Sequence, residues 1–517
     1  MLKLISGLSC SFLLCMGMLL VNCGSTAQET KREKEPAPPY TINVKARLVT
    51  LDIVVTDRTG RLRNDLKGDD FQITEDGVRQ TITSFEPPSA HTLPIGRPIE
   101  STGDLEHSAP QSPVDIVVLD ELNTHFQDMA FARYALKKYL NAQPAQFQAP
   151  TILIAVSHEK LIVLRDYTEN RSAILSALDH HLAAYPWHLQ TGVSVIQQLA
   201  LSLGALEQVA QATAGHPGHK NLIWVGHGFP GINLSSPGID SNSAHGIRTA
   251  VQQAVNMLRD SRITLYTIDP TALTSSLVVR TDSNSVLGAV EDGSGLDPFD
   301  GDINFTALAT ATGGKAFYSR NDVDREIDES VRDGVNYYTI SYRPNNDSDA
   351  DRPYRRIRVS LTVPGLHAGY RDGYYTRDEA QPMANTKRVK YDMDAAEENT
   401  LVYTGLSVIA DSKAANPGTY LVRIPERDLV WSTDGDAESA KLTLVAVEID
   451  AKNRILRRVT NVVTARRPLT RSAGETDAGF ARLEISLPPA TGAVRVRFVV
   501  RSDSDGRVGT ADRVVEK

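Results

Sequence analysis

Imidazoles at close spacing are candidate zinc ligands, and this chain places His216, His219 and His227 near one another in sequence. No Cys and no paired carboxylate stands at ligand spacing beside them. His216-Pro217-Gly218-His219 also has the composition of a loop, so these side chains read as solvated rather than metal-bound. A His-Gly pair behind a buried apolar run, here His227-Gly228, would suit a cysteine peptidase, but that chemistry needs a thiolate nucleophile. All three cysteines, Cys10, Cys15 and Cys23, fall within the first 23 residues, which removes it. The stretch Glu291 to Asp302 gathers Asp292, Asp297, Asp300 and Asp302 among glycines, a composition able to clasp Ca²⁺. Its spacing departs from calcium loops and no Glu closes it bidentately, so it reads as an acidic loop. Asp503-Ser504-Asp505-Gly506 reads as a hairpin turn, and no Gly-x-Ser-x-Gly elbow, His-Glu-x-x-His pair or phosphate-cradling glycine loop occurs.

The cysteines bear on compartment as well. Residues Leu4 to Val21 are apolar behind Lys3, and small or polar residues run from Asn22 to Ala27, the layout of a secretory signal peptide over residues 1–27. Two cleavage sites compete: Ser25-Thr26-Ala27 suits a general signal peptidase, whereas Leu20-Val21-Asn22-Cys23 resembles a bacterial lipobox that would lipidate Cys23. Either route predicts an exported chain, periplasmic, outer-membrane-tethered or extracellular, whose mature part has no internal disulfide and touches membrane only through its N-terminus. A formal charge of -8, from 55 Lys and Arg against 63 Asp and Glu, gives no global basic field for nucleic acid.

At roughly 150 residues per domain, 517 residues suggest about three domains, and 41% hydrophobic content is enough for real cores. Residues 28–39 are charged and proline-rich and read as a linker. In 40–90, Val49, Leu51, Ile53 and Val55 alternate with polar residues as a half-buried strand, and Asp76-Gly77 signals a hairpin. From 114 to 320 the pattern alternates between buried strands (Val114 to Leu119, Thr151 to Val156, Leu222 to Val225, Ile263 to Ile268) and helices, which predicts a doubly wound, mostly parallel sheet. Helical stripes include Ala132, Leu136 and Leu140, then Ile174, Leu178 and Leu182, and a long helix opened by Thr191-Gly192. Ligands of such sheets bind at the carboxyl ends of the strands. Residues 334–376 return to β pattern and are expected to pair with 45–85, which makes the α/β part an insertion. Residues 377–395 read as a linker, and 396–517 as a C-terminal β-sandwich whose Arg495 and Arg497 lie on a solvated strand face, with Arg466, Arg467 and Arg501 as ordinary surface. The fold class is therefore α/β plus β.

Several stretches, DLKGDDFQITEDGVRQTITSFE, VDIVVLDELNT, HPGHKNLIWVGHGFP, RITLYTIDP and LATATGGKAFYSRNDVDREIDESVRDGVNYYTISYRP with GYRDGYY, come in an order that resembles the extracytoplasmic von Willebrand factor A-related (VWA-related) domain proteins of acidobacteria. The resemblance covers roughly residues 45 to 376 and implies an A-type domain used for binding or adhesion. It also implies a divalent cation, typically Mg²⁺, held by Asp-x-Ser-x-Ser after the first strand, a Thr from a second loop and an Asp from a third. Here Asp120 and Thr124 match, Thr191 is placed to supply the second loop, and Asn123, Gly226 and His227 fall in the ligand-binding loops. Leu122 stands where a Ser ligand is expected, and Gly226-His227-Gly228 where the last Asp is expected. Two readings follow: a reorganised site with Asn123 or His227 standing in, or a lost site with Asp120 capping the next turn through backbone amides.

The sequence is thus expected to encode an envelope-associated, non-enzymatic protein that recognises a protein or glycan through a VWA-like domain with a degenerate metal site. The alternatives are a secreted metal-dependent hydrolase using Asp120, Thr191 and His227, and a purely structural envelope component.

Overall fold

A computed structural model of the protein describes residues 48–94, 96–158, 160–183, 194–271, 299, 302–318, 321–345, 354–376, 386–413, 418–434, 437–468 and 479–515. The export segment with Cys23, Thr191 and most of the acidic stretch from Glu291 lie outside the described residues.

Strict alternation makes β1 (Val49–Asp57) an amphipathic strand, with Val49, Leu51, Ile53 and Val55 all buried. β2 (Phe71–Glu75) and β3 (Val78–Arg79) form the Asp76-Gly77 hairpin, and both turn residues take positive φ as a two-residue turn demands. β4 is Ile82–Glu86. The chain then passes through α1 (Thr102–Ser108) into the α/β part: β5 (Val114–Asp120), α2 (Phe126–Ala142), β6 (Gln146–Val156), β7 (Leu161–Asn170), α3 (Arg171–His180), α4 (Val195–Ala212), β8 (Lys220–Val225), β9 (Ile232–Asn233), α5 (Ser241–Asp260), β10 (Ile263–Ile268), β11 (Asp302–Ile303), α6 (Phe305–Ala311), β12 (Ala316–Phe317) and α7 (Val323–Val335). Six strands form one sheet in the order β12-β10-β8-β5-β6-β7, parallel except for the hairpin strand β7.

Both faces of that sheet are covered. Ile116, Val118, Leu222, Trp224 and Leu265 pack with α4, α5 and α6 on one side, while Val117, Leu119, Ile223, Val225 and Tyr266 pack with α2, α3 and α7 on the other. Burial on two faces explains why β5 reads as an unbroken apolar run. The chain moves outward from β5 to β6 and β7, then returns to place β8 on β5's other side, so the strand order reverses between β5 and β8. Crevices at such reversals hold ligands in open α/β sheets.

Strands β13 (Tyr338–Tyr342), β14 (Tyr354–Leu361), β15 (Leu366–Gly369) and β16 (Gly373–Tyr375) follow. β1 pairs antiparallel with β13 and β15, β4 with β13, and β2 with β14, giving sheets ordered β15-β1-β13-β4 and β16-β14-β2-β3. Segments on either side of the α/β part therefore share sheets, and they share a core that includes Leu51, Ile53, Phe71, Tyr338, Ile340 and Ile357. Within 334–376, where only β pattern is expected, residues 370–372 form a short connection that separates β15 from β16.

Three further expectations are corrected. The expected linker 377–395 carries a helix from 386 onward, α8 (Thr386–Glu398), whose Met393 and Ala396 are buried against the α/β core. Leu182 is 89% exposed, because α3 ends at His180. Arg497 and Arg501 are buried rather than solvated, with Arg497 at 0% exposure. The strands after α8 are β17 (Ile409–Ser412), β18 (Thr419–Pro425), β19 (Ser432–Asp434), β20 (Ala437–Asp450), β21 (Ile455–Pro468), β22 (Phe480–Ser486), β23 (Ala493–Ser502) and β24 (Val508–Val514), arranged as a three-stranded sheet and a larger one over a common core. One face of β23 fills that core through Val496, Phe498 and Val500, and α8 covers the other. There the Arg497 guanidinium meets Asp512 at 2.8 and 2.7 Å and donates to the carbonyls of Ala396 and Asn399, which are unsatisfied helix-end acceptors.

Among the buried polar groups, Asp115 on β5 is pushed up to about 7 by burial, opposed by a hydrogen bond from Asn221 Nδ2 at 2.8 Å. Its folded value lies above its unfolded one. The unfolded chain therefore loses this proton first as pH rises from about 4 to about 7, and stability falls across that window. We expect Asp115→Asn, which retains the acceptor and cannot ionise, to match the parent near pH 4 and to exceed it by up to roughly 4 kcal/mol above pH 7. Urea unfolding across pH checks this, and a constant difference would refute it.

Candidate functional site

The site grows from the residues that end β5 and β8, at the strand-order reversal. Asp120 is the last residue of β5 and is fully buried. Its Oδ1 accepts from the amides of Leu122 at 3.1 Å and Asn123 at 2.9 Å; its Oδ2 accepts from Trp224 Nε1 at 3.0 Å and the Gly228 amide at 2.8 Å. Burial pushes the carboxyl up from its ordinary value, and the bonds from Asn123, Trp224 and Gly228 oppose that. Four N–H donors, three from two loops and one from strand β8, thus converge on one side chain.

The loop after β8 fits around it. Gly226 has φ +150, and a Cβ there would overlap Asp120 Cβ and Thr124 Oγ1. Thr124 Oγ1, itself fully buried, accepts from the His227 amide at 3.0 Å. Gly228 has φ +63, with the Phe305 ring where a side chain would go. Leu122 is fully buried as core, and Asn123 Nδ2 donates to Ser202 Oγ at 2.9 Å while its Oδ1 has no partner.

These contacts decide between the two readings of Asp120. A hard cation needs free oxygen lone pairs facing a shared point. Both Asp120 oxygens instead face paired N–H donors, Thr124 Oγ1 already accepts one, and an apolar side chain fills the position of the first Ser. The residues present do not fit a cation at Asp120; they fit a carboxylate that caps one loop and fastens a second. Thr191 lies outside the described residues and is not placed.

His227 projects to the other side of this junction. Its Nε2 lies 3.0 Å from Thr271 Oγ1, 3.3 Å from Asp128 Oδ2 and 3.5 Å from Asp269 Oδ1, and its ring meets His125 edge-on at 5.4 Å between centroids. Thr271 Oγ1 donates to Asp269 Oδ1 at 2.6 Å, so the hydrogen between Thr271 and His227 belongs to Nε2. Asp128, His227 and Asp269 are half-buried, with side-chain exposures of 27%, 17% and 17%. Sequence reasoning placed His227 here but missed Asp128, His125, Asp269 and Thr271. The available signal was position, since Asp269 directly follows β10 and Asp128 sits in the first turn of α2 after β5.

His216 and His219, read from the sequence as solvated, are instead buried, each 3% exposed. Lys220 Nζ gathers the carbonyls of His216, Gly218 and Ser261, which folds their loop inward at the opposite, amino-terminal end of the sheet. His216 Nε2 then meets Ser112 O at 2.8 Å, and His219 Nδ1 meets Asp52 Oδ2 at 2.9 Å. No group of three or more His, Cys, Asp or Glu with metal-holding geometry occurs among the described residues.

The fastening of the two loops makes Gly226 intolerant. Gly226→Ala places a methyl against Asp120 and Thr124 in a backbone region that L side chains avoid, and we expect a loss of about 2–4 kcal/mol by urea denaturation. Gly238→Ala, where nothing lies within 4 Å, should change little; equal effects of the two would show that the junction is not tightly packed.

No family model and no curated protein matches the chain. Among solved structures it is similar to proximal thread matrix protein 1 from the mussel byssus, at 10% identity over 31% of this chain with a TM-score of 0.20, and spans 38% of that protein's length. It is also similar to the SpRpn10 VWA domain, at 14% identity over 31% of this chain and 89% of that one, with a TM-score of 0.17. The chain is a mixed α/β protein, with a six-stranded, mostly parallel sheet and several antiparallel sheets.

Proposed function

We propose that the chain is an exported, envelope-associated binding protein with a VWA-like α/β body, and that it recognises a protein or glycan through the loops after β5, β8 and β10 without covalent chemistry. The observation that carries this reading is the saturated Asp120 carboxylate, which fixes two of those loops at the strand-order reversal before any ligand arrives. Preorganised loops lower the ordering cost of association. Half-buried His227, Asp128 and Asp269 beside them supply polar groups that can exchange water for ligand hydrogen bonds.

The hydrolase alternative draws less support. That alternative uses a cation held by Asp120, Thr191 and His227, and both Asp120 oxygens are already taken by N–H donors while Thr191 lies outside the described residues. A metal-free version with His227 as base toward the Thr271 hydroxyl would need a bare ring nitrogen, with its orienting carboxylate on the other nitrogen. Here the hydroxyl points at Asp269, and both carboxylates lie on the Nε2 side of His227. Export and envelope attachment rest on the apolar segment before Ala27 and on the lipobox-like Cys23.

The test uses the mature chain against immobilised panels of polysaccharides and of fractionated envelope proteins, in parallel with Asp128→Ala/His227→Ala. We expect specific capture by the parent, at least tenfold weaker capture by the double variant, and unchanged circular dichroism. Capture indifferent to the double variant would refute this surface. Titration with Mg²⁺, Mn²⁺ or Ca²⁺ should leave Tm in place, because a ligand bound only by the folded state must raise it. A saturable rise would overturn the metal-free reading and revive the hydrolase.

A further inference from the structure

A cavity of about 30 Å³ lies at the amino-terminal end of the α/β sheet, where the flanking β strands meet it, and the side chains lining it include Arg259, Arg262, Arg371 and Asn256. Holding one water takes roughly 10–15 Å³ on this measure. The charges around the cavity do not balance. Arg262 is taken up by Asp52, at 2.7 Å from NH2 to Oδ1, and by the carbonyl of Pro217. Arg259 meets Asp260 at 2.7 Å and donates to Tyr375 O at 3.1 Å. Among the described residues Arg371 has no carboxylate at ion-pair distance, and Asp52 and Asp260 act on it only from farther off: its Nη2 donates to Thr50 O at 2.7 Å, and its Nε is buried with no partner. Burial, with Arg259 nearby, pulls its guanidinium down to about 10. Across the same cavity Asn256 Oδ1 is a buried acceptor with no donor.

Buried charges in folded proteins are paired, because an isolated ion out of water costs several kcal/mol. The guanidinium edge is a fork suited to oxygen atoms of an anion, while Asn256 Oδ1 calls for a hydrogen on whatever sits beside it. We propose that this cavity binds a small protonated oxyanion of the hydrogen phosphate class, with its oxygens on Arg371 and its hydroxyl donating to Asn256. Hydrogen phosphate offers both acceptors and a donor. Sulfate and chloride offer no donor and would leave Asn256 unsatisfied. Thr50 lies on the flanking strand β1 and Arg371 in the short connection between β15 and β16, whereas Arg259 and Asn256 belong to α5, so an occupied site ties the two parts together. The cavity lies at the opposite end of the sheet from Asp120 and does not depend on the proposed recognition loops.

The test follows the melting temperature and calorimetric heats of the full mature chain with inorganic phosphate, sulfate and chloride at matched ionic strength and neutral pH. We expect saturable binding of phosphate in preference to both others, and about tenfold or more weaker binding in Arg371→Met, the cost of a charge-assisted pair. Asn256→Leu, which keeps the side chain's length at a partly buried position of α5 and whose folding is checked by circular dichroism, should keep anion binding and lose the preference for phosphate over sulfate. The proposal is overturned if no anion binds saturably, if sulfate binds as well as phosphate to the parent, or if both variants behave like the parent. A response only to ionic strength would mean that the cavity holds water alone.

Discussion

A carboxylate taken wholly out of water must be neutralised, paired with a cation or saturated by hydrogen bonds, and Asp120 is saturated. Most features of the carboxyl end of the sheet follow from that choice. Two donors come from the turn that Asp120 itself begins, which fixes Leu122 and Asn123. The other two come from Trp224 and Gly228, which draw the loop after β8 against the loop after β5. Gly226 and Gly228 are then required, because side chains at either would occupy space held by Asp120, Thr124 or Phe305. Leu122 suits this arrangement better than a hydroxyl, since nothing polar is left at its position to satisfy.

The same rule recurs at each joint between the parts of the chain. Burial would raise Asp52, but Arg262 and His219 outweigh it and hold the carboxyl well below its ordinary range, which binds β1 to the amino-terminal end of the sheet. Glu75 accepts from Tyr342 Oη at 2.7 Å and Tyr374 Oη at 3.0 Å between the two flanking sheets. Arg497 joins β23 and β24 to the end of α8. Apolar area drives these surfaces together without direction, whereas ionic and hydrogen-bonded contacts have geometry and penalise misplacement. Because all three cysteines fall within the first 23 residues, no disulfide can form among the described residues, and such contacts fix relative orientation there.

Much of the architecture was legible because it rests on periodicity. Alternation at Val49 to Val55, the unbroken run at Val114 to Leu119 and the helical stripe at Ala132 to Leu140 each report how many faces are covered, and the turn chemistry of Asp76-Gly77 sets its hairpin. Pairing across more than 200 intervening residues, as between β1 and β13, leaves no local trace, so it was reachable only by arguing where a half-buried strand finds partners. The misreadings have separate causes. Alternation tells which residues point the same way but not what lies over the second face, so Arg497 looked solvated although α8 covers it. His216 and His219 looked like loop surface because the contribution of Lys220 is three carbonyl contacts, which no pattern of side chains records. At the site, Asp120 was legible and its partners were not: three of its four donors are main-chain amides, identical at every residue but proline, and the fourth is an indole buried in a strand.

Under the two proposals, the two ends of the parallel sheet do different work. Its amino-terminal end is where the flanking strands dock, through Asp52 with His219 and Arg262, and the space left there is of the order of a few water molecules. Its carboxyl end carries glycine-bearing loops fastened beneath by Asp120 and half-exposed carboxylates and imidazoles above. A macromolecular ligand needs extended surface with several polar groups held in register, and a few buried hydrogen bonds cannot replace that area. Among the described residues, the carboxyl end combines rigidity with such groups. Under the phosphate proposal, the amino-terminal end selects a small ion by its donors and acceptors, with the Arg371 guanidinium supplying the charge in a partly enclosed space where Coulomb attraction is stronger than in bulk water.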